Sequence, residues 1–361
     1  MEQDKKRILQ MVKDGTITIE EALSLLETLE EAEKISESIK QLSLDINVEK
    51  NDSGQTDKKG KPTLKDSIFS FVDKAIHKVK DIDIDFHHSV DFSHVFYENA
   101  QMLHEINMEI ANGSISLQPW DHSDIRMECK VKVYREKEIE EAKKKFLQGV
   151  TFQLKNGIFT FKSDQKLMKV ETVIFIPSYR YEKIYTKLLF GNITIHELYA
   201  DEWIVKTTNG HIRGQWIEGN QAIIESGNGR IELKHAFILK NETETVNGSI
   251  HVEGKFHQLD LQTLTGRIFC HIHNRNIEKL FSKTVASPIH IQLSQGVVAN
   301  GEVKTNLGNI DVSIDGIHIT EEKKDFAQKK LCFQPIIQED HSLTLFAESK
   351  TGSIFIETVN S

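Results

Sequence analysis

The chain has 361 residues, with 45 Lys and Arg against 54 Asp and Glu, for a formal net charge of -9. Its length supports a sizeable core and more than one domain, 39% hydrophobic residues and a mean hydropathy of -0.38 describe a soluble protein, and the acidic balance excludes a general nucleic-acid binder, which needs a basic face. Three widely spaced cysteines, Cys129, Cys270 and Cys332, exclude a disulfide framework or a zinc knuckle.

Residues 1–45 read as a helical hairpin. Ile8, Leu9 and Val12 share one face, Gly15 stops the first helix, and Thr18 with Glu21 forms a capping box for the second. The second helix carries Leu23, Leu26 and Leu29 and then a thinner stripe of Ile35, Ile39 and Leu42, which outruns the first helix. That stripe is a candidate partner-binding face, for a second copy of the chain or another protein; it can equally fold back on the chain's own body. The start MEQDKKR lacks the apolar stretch of a secretory signal, and no apolar run reaches the roughly 20 residues of a membrane span. The expected compartment is the cytoplasm.

Residues 46–63 form a linker, since KNDSGQTDKKGKP contains no apolar side chain. Residues 64–80 predict an amphipathic helix with Ile68, Phe71, Val72 and Ile76 on one face and lysines on its flanks. Such a helix either caps the open end of a β body or lies at a membrane surface as a peripheral contact.

The β body is expected over residues 100–361. Between Leu189 and Cys270, Ile193, Ile212, Ile231, Ile250 and Ile268 recur at spacings of 19, 19, 19 and 18, each behind a Gly-containing turn. Thr207, Ser226, Thr245 and Thr263 stand five residues before the last four isoleucines, and Val205, Ile224, Thr243 and Leu261 stand seven before. A period of two within a period of about 19 predicts strands stacked as coils of a solenoid, each coil too small to bury its own apolar face. The same register recurs at Ile115, Ile310 and Ile354, and Cys270 takes an inward position. REKEIEEAKKKFLQG reads as a short exposed helix, and the segments around residues 274–283 and 321–330 read as interruptions of the solenoid by loops or short helices. The last coil closes at Ile356, so a C-terminal cap is expected beyond it.

Two features carry a family resemblance. ILQMVKDGTITIEEALSLLETL resembles the SHOCT-like helical N-terminal domain of YvlB/LiaX-like proteins of Gram-positive bacteria. VIFIPSYRYEKIYTKLLFGNITI followed by VKTTNGHIRG and IIESGNGRIEL resembles the DUF4097 domain, also described as a toastrack or adhesin-like domain. The resemblance implies a single-stranded right-handed β-helix preceded by a small α-helical hairpin domain. It also implies a place in the cell-envelope stress response beside membrane proteins of the phage-shock and Lia type. It brings no catalytic residues.

The residues themselves suggest little chemistry. His271 and His273 alternate on one strand and can share a face, but the sequence places no carboxylate or cysteine beside them. Lys206, Glu225, Glu244 and Gln262 form an outward row that reads as a solvated face, and His211, Arg230, Ser249 and Arg267 form a mildly basic turn edge. Paired carboxylates, a P-loop, GxSxG and HExxH are not found. The expectation is a non-enzymatic regulatory or scaffold protein with protein partners and no cofactor or metal. An adhesin-like or glycan-binding surface module is the alternative, and a β-helix carbohydrate-active enzyme stands behind both.

Overall fold

The computed structural model describes residues 88–359 except 101, 326–327 and 338–340. The predicted hairpin, linker and amphipathic helix, including Ile35, Ile39, Leu42, Ile68, Phe71, Val72 and Ile76, lie outside the described residues. The described chain is a β-solenoid whose 20 strands form one hydrogen-bonded sheet wound around a continuous apolar core.

The isoleucine count is the coil count. Strands β8 (Ile193–Asn209), β9 (Ile212–Asn228), β10 (Ile231–Asn247) and β11 (Ile250–Thr265) stack in parallel, with Ile193 beside Ile212, Ile212 beside Ile231, and Ile231 beside Ile250. All of these isoleucines are buried, as are Val205, Ile224, Thr243 and Leu261. Burying one such aliphatic side chain contributes about 1.5–3 kcal/mol, and here it is realised only when the next coil is in place.

Each coil bends at two corners. At the first, the turn glycines of successive coils approach so closely that a Cβ added to Gly229 (φ +151°) would lie 2.1 Å from the carbonyl oxygen of Gly210. The hydroxyl ladder explains itself at this corner. Thr207 donates to the Gly191 carbonyl (3.0 Å), Ser226 to Gly210 (3.0 Å), Thr245 to Gly229 (3.2 Å) and Thr263 to Gly248 (3.1 Å). Each buried hydroxyl thus satisfies a turn carbonyl of the preceding coil. At the second corner a non-glycine residue takes a left-handed conformation: Glu197 (φ 56°), Trp216 (φ 55°) and His235 (φ 51°). The coil from Ile250 lacks this extra residue, which is why β10 and β11 slip register between Leu233 and Ala236 and why the last spacing is 18.

The body begins earlier than residue 100. Strand β1 (Ser89–Asn99) pairs antiparallel with β3 (Asp124–Tyr134), which pairs antiparallel with β6 (Met168–Pro177). Beyond β6 comes β2 (Glu105–Trp120), the first full coil. Helix α1 (Ile139–Gly149) is the predicted helix, but it is not simply exposed: Ala142 and Phe146 are buried. Phe146 meets Phe92 at 5.7 Å between ring centroids, and Phe96 stacks on Phe152 at 4.5 Å. Antiparallel strands and this aromatic cluster close the N-terminal end of the described solenoid, a protection that an open parallel edge requires.

The C-terminal half departs from chain order. Strand β12 (Ile268–Ile272) pairs with β14 (Ile289–Ser294), placing Ile268 beside Ile289. The next neighbour of Ile289 is Ile354 of β20 (Ile354–Val359), and only then comes Ile310 of β16 (Ile310–Ser313). Likewise β19 (Leu343–Ser349) lies between β13 (Lys279–Thr284) and β15 (Ala299–Thr305). The final coil of the chain is therefore inserted between two earlier ones, so the end that needs a cap is not the coil that closes at Ile356. The end is the coil carrying β15 and β16. Onto β15 packs an antiparallel hairpin of β17 (Ile317–Lys324) and β18 (Lys329–Pro335). Of the first expected interruption, residues 273–278 are a loop, while Lys279–Thr284 stays in the ladder beside β11; in place of the second, Ile317–Lys324 and Lys329–Pro335 form the closing hairpin. Loops or helices were expected there because the surrounding polar residues hide the short alternation.

If the turn ladder holds the coils together, Thr245→Val should lower the unfolding free energy by about 1 kcal/mol, the worth of one hydrogen bond. Gly229→Ala should cost more than about 3 kcal/mol through the backbone clash. Gly316→Ala, at φ 72° with nothing within 4 Å of the added Cβ, should cost only about 1–2 kcal/mol. Chemical denaturation of the three variants checks the ranking.

Candidate functional site

Because inward positions are filled by packing, chemistry is confined to what the coils turn outward. The left-handed corner gathers the largest share of it. A left-handed residue four positions after the ladder isoleucine reverses the inward and outward alternation, so that in β10 Ala236 and Ile238 are buried while His235, Phe237 and Leu239 face out. Trp216 (48% exposed) stacks on His235 with ring centroids 4.1 Å apart, and Phe237 is also 48% exposed. Phe237 lies beside Glu218 on one side and Lys255 on the other. The result is an aromatic ridge on a rigid frame, with charged neighbours at its margins. Alternation alone had assigned no role to Trp216, Phe237 or Leu239. The available signal was the bulky apolar run Phe237, Ile238 and Leu239 past Ile231, with Trp216 and Ile217 in the coil before it.

Two coils beyond β10, at the end of β12, stands the histidine pair. His271 and His273 do share a face, and their rings are 4.4 Å apart. The expectation that no carboxylate stands beside them is overturned: Glu253 of β11 is the register partner of His271. Its Oε1 lies 3.6 Å from His273 Nε2, which is itself 3.3 Å from His271 Nδ1. Sequence reading missed the carboxylate because it sits 18 residues away and adjacency depends on the shortened coil. His251 pairs with Phe269 and takes no part.

The outward row Lys206, Glu225, Glu244 and Gln262 is present in register. It is not the solvated face expected, because stacking sets carboxylates side by side. Glu244 lies against Glu225, and Glu242 against Asp260, while Lys206 pairs with Glu225 at 2.9 Å. Burial, then the charges of Glu225, Asp260 and Glu242, push the Glu244 carboxyl up to about 7. The turn edge is tied along the stack: the Arg230 amide donates to His211 Nδ1 at 2.9 Å, and its Nε to Ser249 Oγ at 3.1 Å. A groove of about 540 Å³ lies where the closing hairpin leaves the body, lined by Glu302, Cys332, Phe333, Pro335 and Phe346. Lys330 bridges Glu302 (3.2 Å) and Glu321 (2.8 Å) beside the Cys332 thiol. Among the described residues no helix is long and apolar enough to cross a membrane. The sequence-predicted partner and membrane-surface residues named above lie outside the described residues.

Fold and surface together define a capped β-solenoid that spends its ladder positions on packing and presents its outward side chains from a fixed lattice. Residues 103–331 match the toastrack DUF4097 domain and residues 3–34 match a SHOCT-like domain, and the chain belongs to the toastrack DUF4097 family. The uncharacterised protein YvlB of Bacillus subtilis is 33% identical over 358 residues, covering 98% of each chain. A crystal structure of a protein proposed to act in cell adhesion, from Clostridium sporogenes, aligns at a TM-score of 0.26 and 9% identity, over 75% of this chain and 100% of that one.

The acidic row yields a signed pH dependence. The folded protein holds the Glu244 carboxyl near 7 against an ordinary value of 4.5, so it favours the protonated acid. The contribution is complete below about pH 4.5 and is lost as pH rises through about 7. Glu244→Gln should therefore match wild type near pH 4 and exceed its stability at about pH 8 by on the order of 2 kcal/mol, after allowance for the water that reaches the group. Thermal melts across that range measure it.

Proposed function

We propose that this protein is a non-enzymatic regulatory or scaffold protein of the bacterial cell-envelope stress response, acting by contact with protein partners. The observation that carries this reading is the exposed ridge of Trp216, Phe237 and Leu239 at the corner set by the left-handed residues Trp216 and His235. Exposed aromatic side chains held in place lose little entropy on binding, and such residues dominate the energetics of protein interfaces. The mixed charges beside the ridge, Glu218 and Lys255, suit a polar rim around an apolar centre.

Two further features support the reading. The match of residues 3–34 to a SHOCT-like domain, with the toastrack match over residues 103–331, places a second module on the same chain. A contact protein with two modules can join two partners. The family resemblance read from the sequence points to membrane proteins of the envelope stress response as those partners.

The test is capture of partners from cross-linked bacterial membranes with full-length wild type and Trp216→Ala/Phe237→Ser. Because both side chains are about half buried and Trp216 stacks on His235, the double variant is used only after its melting transition shows that it is folded. Recovery of the specific partners should fall at least tenfold. Unchanged recovery from a folded double variant contradicts the role given to the ridge. Recovery of the protein from the outer cell surface contradicts the regulatory reading and favours the adhesin-like one.

A further inference from the structure

Three donor groups converge where the two coils that follow the aromatic ridge lie side by side. His271 and His273 belong to β12 and its immediate continuation, and Glu253 belongs to β11 directly beside them. One suitable atom from each lies within 4.8 Å of the other two. We propose that Glu253, His271 and His273 form a binding site for a divalent transition-metal ion of the zinc class, with three protein ligands and a fourth position open.

The spacing fits the ion. Two ligands of a tetrahedral zinc, each about 2.0–2.1 Å from the metal, lie about 3.3 Å apart. His273 Nε2 is 3.3 Å from His271 Nδ1 and 3.6 Å from Glu253 Oε1. Hydrogen bonding explains the same contacts less well. A ring nitrogen carries either one hydrogen or one lone pair, so His273 Nε2 cannot satisfy both neighbours with well-formed bonds. A cation between the three groups takes a lone pair from each, and the Glu253 carboxylate offsets part of its charge.

The frame is built before any ion arrives. Parallel pairing sets Glu253 against His271, and the His273 amide donates to the Gly254 carbonyl at 2.8 Å. The next residue, Asn274, grips the backbone of Phe256 at both ends, accepting from its amide and donating to its carbonyl, each at 2.9 Å. Gly254 (φ +158°) stands beside Ala236 of the preceding coil, so close that an added Cβ would lie 2.0 Å from the Ala236 carbonyl oxygen. The nearby ammonium of Lys255 is exposed, where water and salt screen it. With glutamate and two imidazoles as donors, the set suits zinc, nickel or copper better than calcium or magnesium, which prefer all-oxygen shells. The metal site does not depend on the contact role of the ridge.

The experiment is titration of chelator-treated full-length protein with Zn²⁺ alone by calorimetry, followed by Co²⁺ substitution. Wild type should bind Zn²⁺ at a site that His271→Asn/His273→Asn weakens at least 100-fold and Glu253→Gln at least tenfold. His290→Asn, which alters another half-exposed histidine, should leave the affinity unchanged. Bound Co²⁺ should give the intense visible absorption of a four-coordinate site in wild type, a readout that needs no variant and decides the question if the double variant does not fold. Failure of wild type to bind Zn²⁺, undiminished binding by a folded double variant, or a Co²⁺ spectrum no stronger than that of the hydrated ion overturns the site.

Discussion

The structure depends on how closely one turn can sit on the next. At the glycine corner, a carbonyl of one coil faces the turn glycine of its neighbour at a distance that excludes a Cβ, as Gly210 and Gly229 do. The same carbonyls accept hydrogen bonds from the inner hydroxyls, with Ser226 and Thr245 reaching back to Gly210 and Gly229. Glycine permits the contact and the hydroxyl satisfies the polar group that the contact buries. Together they fix the rise between coils, and that rise sets which outward side chains become neighbours.

The closing coil extends this constraint beyond chain order. Thr305 donates to Gly352 at 2.9 Å and Ser349 to Ser287 at 3.0 Å, so the ladder runs through the inserted strands as it does through consecutive ones. A coil held on both faces cannot fray as a free end does. The described solenoid is therefore closed at one end by antiparallel strands with an aromatic cluster and at the other by a hairpin. Between them stands a stiff body whose surface features keep fixed positions.

Much of the fold was legible because one residue type at one spacing carries it. The isoleucine register, the hydroxyl ladder and the turn glycines are local facts of the sequence, and the later isoleucines Ile310 and Ile354 were found in the same register. Their spatial order was not legible, since parallel pairing leaves no trace of which coil lies between which others. The surface was harder still. The left-handed residues Glu197, Trp216 and His235 flip the alternation in mid-strand, so residues such as Phe237, at an even offset from the isoleucine, turn out instead of in. The meeting of Glu253 with His271 and of Glu225 with Glu244 arises from coil length, 18 residues in one case and 19 in the other. A reading by motif could not assemble either.

A frame of this kind favours function by presentation, in which the ridge at the left-handed corner is the surface that meets a partner. The most direct measurement is photo-crosslinking in living cells, with a photoreactive residue placed in turn at Phe237 on the ridge, Glu242 on the acidic face and Arg230 on the turn edge. The account predicts discrete protein adducts from position 237 and none from 242 or 230. Adducts from 242 or 230 with none from 237 would contradict it.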